Sequence, residues 1–90
     1  MWQVFEHTRL DRQLDHLPRM ILKRYEKWKD IVTVSGPALL RLIKGFHDEA
    51  LSGPLKGYRS SRLNLQYWVI YQVVVESAEI RVIRITPHEY

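Results

Sequence analysis

Ninety residues suffice for one domain around a single shared core, and a hydrophobic fraction of 46% is that of a folded chain rather than a disordered one. There is no cysteine, which excludes disulfides and thiolate–metal chemistry and points to a reducing, cytoplasmic setting; no apolar run approaches the ~20 residues of a membrane span. The formal charge of +4 is unevenly spread. Residues 1–45 hold nine Lys and Arg against five Asp and Glu, and residues 46–90 hold five against five, yet between Gly53 and Val75 stand Lys56, Arg59 and Arg62 with no acid among them. Such a cluster attracts polyanions, although a solvated surface has the same composition.

The opening residues MWQVFEHTRL lack the basic-then-apolar order of a secretory leader, and WQVFE alternates enough for a short strand over residues 2–6. Thr8 is placed to cap a helix over residues 9–17 whose Leu10, Leu14 and Leu17 share a face. Pro18 ends that helix or starts the next. From Met20 onward, Ile21, Tyr25, Trp28 and Val32 step by four, three and four, which predicts a second helix with Lys23, Arg24, Lys27 and Lys29 on its other faces. Ser35 and Pro37 mark a restart, with Leu39, Leu40, Leu42 and Ile43 as its buried surface and Gly45 as its stop.

Gly53, Pro54 and Gly57 make the following stretch a loop. Three strands are then predicted, over residues 58–63, 67–75 and 79–86, with connections short enough for antiparallel neighbours. Strict alternation along the last strand puts Ile80, Val82 and Arg84 on one face and Arg81, Ile83 and Ile85 on the other. The fold class that follows is α+β: an antiparallel four-stranded sheet packed against N-terminal helices, as one domain over residues 1–90. On the strand over residues 58–63, Arg59 and Arg62 are three apart and point to opposite faces unless the strand bulges.

The segments HDEALSGPLKGYRSSRL, YWVIYQV and ITPHEY together resemble the RelE/HigB group of bacterial type II toxins, within the RelE/ParE superfamily. The C-terminal half, residues 47–90, carries the specific part of the resemblance, and the helical half matches in length and order. The resemblance implies a RelE-like fold, an antitoxin partner, and metal-independent cleavage of messenger RNA on the ribosome. No cofactor, small molecule or membrane is implied. The reaction is attack of a ribose 2′-hydroxyl on the adjacent phosphate, which requires a base, cationic stabilisation and a proton donor on one surface.

Glu49 is the candidate base, because toxins of the YoeB branch have a glutamate at the matching place; a lone loop glutamate is otherwise a solvated acid. His47 is included because imidazole titrates near neutrality. Lys56, Arg59 and Arg62 are the candidate phosphate binders, with Arg62 at the RNA surface by resemblance and Arg59 open to pairing with an acid from a helix. His88 and Tyr90 are the candidate acid and its helper, set against the alternative of a frayed tail. Arg84, which shares a face with His88 by parity, is preferred to Arg81.

One position departs from the pattern. Where the family typically reads Tyr-Arg-Val-Ile-Tyr, this chain reads Tyr67-Trp68-Val69-Ile70-Tyr71, so an indole stands where the catalytic arginine is expected. Indole offers one N–H and a broad apolar face; it can stack on a base but does not offset phosphorane charge. Three explanations stay open: a disarmed toxin, a variant whose cation is Arg62 or Arg84, or a sheet residue covered by a neighbouring chain. Weakened or absent catalysis with RNA binding retained is the favoured expectation.

Overall fold

Four side chains on one helix anchor the architecture. In the computed structural model, which describes residues 1–87, Ile21, Tyr25, Trp28 and Val32 are all buried on helix α2 (Arg19–Ser35). Helix α1 (Leu10–His16) precedes it, adding buried Leu10 and partly buried Leu14, with partly buried Leu17 just beyond its end. Pro18 sits between the two helices, at the cap position of α2, where its missing N–H costs nothing. Thr8 is not the cap of α1. The residue before the helix is Arg9, no side chain caps it, and the turn is closed by the Leu10 N–H donating to the His7 carbonyl.

Ser35 likewise does not cap the next helix, because it is the last residue of α2. Gly36 makes the junction at φ +81°, and helix α3 (Pro37–Leu42) begins at once. A Cβ on Gly36 would lie 2.8 Å from the indole nitrogen of Trp2, so both the backbone angle and the available space call for glycine. With only six residues, α3 buries Leu40 fully, whereas Leu42, expected in the core, stands 76% exposed at its end.

Among the described residues the sheet has five strands and is mixed, not four and antiparallel. Its strands are β1 (Gln3–Glu6), β2 (Glu49–Ala50), β3 (Arg59–Arg62), β4 (Trp68–Val74) and β5 (Glu79–Thr86), in the order β1-β5-β4-β3-β2. The β1–β5 pair is parallel, a geometry reached through the long helical connection rather than a tight turn. Strand β2 pairs antiparallel with β3 but has only two residues, too few for any alternation to be legible.

A bulge interrupts the β4–β5 ladder. Ile70 faces Arg84 and Tyr71 faces Val82, so Ile83 is the extra residue. Alternation restarts beyond it, which sends Ile85 into the core beside Val69 and turns Arg84 away from Ile80 and Val82. The expected parity of the last strand is therefore corrected: Arg81 and Arg84 lie on the same face.

The helices cover one side of the sheet, burying Val69, Tyr71, Ile80, Val82 and Ile85 beneath α1 and α2. At the centre, Trp28 stacks on Tyr25 at 5.9 Å and meets the Tyr71 ring edge-on at 5.2 Å. Among the described residues, no helix is long and apolar enough to cross a membrane.

Candidate functional site

Residues opposite one another on neighbouring strands point to the same side, so the ladder registers assign every strand residue to a face. On the side away from the helices, one row crosses four strands: Glu49 on β2, Ser60 on β3, Ile70 on β4 and Arg84 on β5. The row beside it is Arg62, Trp68 and Thr86. Arg62 is diagonal to Glu49, a spacing of about 7–8 Å, and Arg84 is diagonal to Trp68. Strands lie ~4.8 Å apart, so Glu49 and Arg84 bound a patch about 14 Å wide. The patch has an acid at one side, cations at two, and Trp68 and Ile70 on its floor.

Each group arrives there for a local reason. Glu49, expected in a loop, is held on the edge strand β2 by pairing with Ser60. Arg84 reaches this face only because of the bulge at Ile83. Arg62 ends β3 with its guanidinium 5.3 Å from the centre of the Trp68 ring, directly opposite. Its Nε is buried and has no hydrogen-bond partner among the described residues. Ser60 and Thr86 are buried within the same face, and no motif or periodicity singles out either.

Arg59 points the other way. It pairs with Tyr71 in the ladder and lies on the helix side, where its Nη2 is 2.7 Å from Asp48 Oδ1 and its Nε donates to the same oxygen at 2.8 Å. Of the two alternatives for Arg59, the ion pair is the one present, with an acid from the segment before β2 rather than from a helix. The Asp48 side chain is fully buried and also accepts hydrogen bonds from Ser61 Oγ and Tyr71 Oη. Burial lowers the Arg59 pKa, but the Asp48 hydrogen bond and charge outweigh this and leave it raised. Burial first, and then the bond to Asp48, push the Tyr71 phenol well above its ordinary range. Asp48 is the residue that sequence reasoning passed over. A single acid beside a two-residue strand gives no periodic signal of its burial.

His47 is exposed, in the left-handed region at φ 43°, and lines a groove with Arg62 and the start of α2 instead of joining the row. Lys56 is exposed in the connection from β2 to β3, and no hydrogen bond or ion pair ties its side chain to the patch among the described residues. His88 and Tyr90 lie outside the described residues. Among the described residues, no group of three or more His, Cys, Asp or Glu side chains is arranged to hold a metal ion.

No protein-family model matches the sequence, and no curated protein sequence does. Solved structures do match in fold. The chain is similar to the archaeal RelE–RelB complex from Pyrococcus horikoshii OT3, at 25% identity and a TM-score of 0.76, over 96% of this chain and 93% of that one. It is similar to the YoeB–YefM complex from Staphylococcus aureus at 16% identity and a TM-score of 0.74, over 100% and 99% of the two chains. A YafQ structure from E. coli matches at 14% identity and a TM-score of 0.70, over 96% and 92%. The resemblance carried by residues 47–90 extends to the whole architecture, and the chain has the fold of the RelE-type toxins.

Proposed function

We propose that the chain is the toxin of a type II toxin–antitoxin pair, built as a metal-independent messenger-RNA endoribonuclease that acts on the ribosome in the cytoplasm. In this reading Trp68 reduces or abolishes cleavage while RNA binding persists. The supporting observation is the patch itself: Glu49, Arg62 and Arg84 share the face away from the helices, and Trp68 occupies its floor.

Glu49 takes the proton of the ribose 2′-hydroxyl, and the freed oxygen attacks the adjacent phosphorus. The bond to the 5′-oxygen breaks, leaving a 2′,3′-cyclic phosphate and a 5′-hydroxyl. His88 gives the leaving oxygen its proton, with Tyr90 as its helper. Arg62 and Arg84 face the charge that accumulates on the phosphorane, and removal of one such stabiliser typically costs ~10²–10³ in rate. Lys56, Arg59 and His47 are then left to flanking contacts, of which Arg59 is the weakest candidate because Asp48 already holds it. The RelE–RelB and YoeB–YefM complexes support a cognate antitoxin as the protein partner.

A second reading, a non-catalytic ribosome- or RNA-binding module, is favoured by the stacking of Arg62 on Trp68, which holds the nearer cation against an indole. A third, a pure antitoxin-binding domain, assigns no RNA role to the patch. Translating ribosomes programmed with a short message separate them when given this chain or its Trp68→Arg variant, with breaks mapped by primer extension. Cleavage by the variant alone is expected, and Glu49→Gln in that background should lower it ~10²–10⁴-fold. Equal cleavage by both forms overturns the assignment at position 68. No cleavage by either, with ribosome binding intact, favours the binding module; loss of both leaves the interaction domain.

A further inference from the structure

The Asp48 carboxylate is fully buried, yet no step of the proposed reaction uses it. A carboxylate offers about four acceptor positions, and the partners of Asp48 fill them. Oδ1 receives Arg59 Nη2 at 2.7 Å and Nε at 2.8 Å, while Oδ2 receives Ser61 Oγ and Tyr71 Oη. The donors come from two strands, β3 and β4, and Tyr71 in turn meets Trp28 edge-on in the core. One carboxylate thus ties the chain at position 48 to the packed centre of the molecule.

The strand that follows has little of its own to hold it. Among the described residues β2 lies at one end of the sheet, and its two residues, Glu49 and Ala50, are both exposed. Its ladder sets Glu49 against Ser60 and Ala50 against Arg59, and the Leu51 N–H then donates to the Tyr58 carbonyl at 3.0 Å. A segment with so few buried contacts opens locally at small cost. Upstream, His47 stands in the left-handed region and turns the chain after buried Phe46, so Asp48 is the first residue to grip the sheet. Successive strand residues project to opposite sides, and a carboxylate fixed on the helix side therefore aims residue 49 at the patch.

We propose that Asp48 is the positioning residue for Glu49: its buried carboxylate locks β2 onto β3 and β4 and holds the candidate base over the patch. Asp48 lies on the opposite side of the sheet from that patch, so it acts only through Glu49. A reacting group misplaced by about 1 Å loses on the order of 10² in rate, which is the scale at stake. Holding such a group within a fraction of an ångström takes supporting hydrogen bonds of this kind. The base role of Glu49 rests on the proposed function; the lock on β2 does not.

Amide hydrogen exchange tests the lock, and cleavage tests what it serves. Asp48→Asn and Ser61→Ala should each speed exchange of the Leu51 amide at least ~10-fold more than exchange of the β4–β5 amides, which open with the whole fold. Ser61→Ala keeps the ion pair with Arg59 and so carries the test if Asp48→Asn does not fold. In the Trp68→Arg background, the single-turnover rate on programmed ribosomes should fall ~10²-fold for Asp48→Asn and ~10-fold for Ser61→Ala, with the half-saturating ribosome concentration unchanged. With Glu49→Gln already present, the same two changes should cost no further rate, because the group they position is gone. Leu51 exchange that rises only in step with the β4–β5 amides overturns the proposal and leaves Asp48 as a support of the whole fold. A rate loss that persists undiminished beside Glu49→Gln overturns it too. If the Trp68→Arg form itself does not cut, the proposed function fails, while the exchange data still decide whether Asp48 locks β2.

Discussion

Arg62 and Trp68 stand opposite each other on β3 and β4, with the guanidinium 5.3 Å from the indole ring centre. A contact of this kind is worth about 0.5–2 kcal/mol depending on desolvation. It shields one face of the cation with the indole on the floor of the patch. An arginine at position 68 would replace this stack with two like charges facing each other, so the exchange would alter Arg62 as well as add a cation.

If the indole serves as a base platform, Trp68→Ala should weaken binding of a short oligouridylate by ~1–3 kcal/mol, while Trp68→Phe should retain most of the affinity. Fluorescence anisotropy at fixed salt measures both. Equal affinity in all three forms would remove the platform role.

Arg59 and Arg62 should part company when each is changed to alanine. Arg59→Ala leaves the fully buried Asp48 without its cation and is expected to destabilise the fold by about 3–5 kcal/mol, read from urea unfolding. Arg62→Ala should cost no more than its stack on Trp68, about 0.5–2 kcal/mol, but under the proposed function it should flatten the salt dependence of RNA binding by about 0.7 in the log–log slope, one phosphate contact on a single strand. The opposite assignment of effects would mean that the faces have been read the wrong way round.

Stability should decline on the alkaline side. Burial, followed by hydrogen bonds to Glu6 and Asp48 respectively, raises the phenols of Tyr25 and Tyr71 far above their usual value near 10. The folded state keeps those protons at pH values where the unfolded chain has lost them. Their contribution is thus complete below about pH 10 and drains away as pH climbs beyond it. Urea midpoints followed from neutral to strongly alkaline pH should fall, and Tyr25→Phe with Tyr71→Phe should flatten that fall, whatever the starting stability. An undiminished slope in the double variant would assign the decline to other groups.

Gly36→Ala should cost about 1–3 kcal/mol, because the residue combines φ +81° with an indole where the methyl would go. Thermal unfolding checks this. Adding Trp2→Ala should recover the steric part and leave the backbone part.

Where many residues repeat one period, the sequence read true. The α2 stripe from Ile21 to Val32 and the strands around Tyr71 and Val82 lie within a residue or two of their expected places. Legibility failed where one or two residues decide the outcome. Strand β2 is a single ladder step, and the bulge at Ile83 depends on how β5 meets β4, which alternation along β5 alone does not contain. The opposed faces of Arg59 and Arg62 followed from spacing; which of them faced the helices depended on Asp48, whose burial nothing local announced. Glu49 and Trp68 were singled out by resemblance, and their shared face came from strand order.

The place of β5 in the sheet bears on how the molecule comes together. This strand, the last of the described elements, is the neighbour of both β1 and β4. Until residues 79–86 are available, the N-terminal strand has no ladder to join and the hairpin of β3 and β4 lacks one of its two sides. Such long-range closure slows assembly, because chain entropy is spent before the contacts that offset it form. A nascent chain halted before Glu79 would hold Glu49, Arg62 and Trp68 without Arg84 or the sheet that aligns them. The patch on the face away from the helices therefore exists only once residues 79–86 have been made.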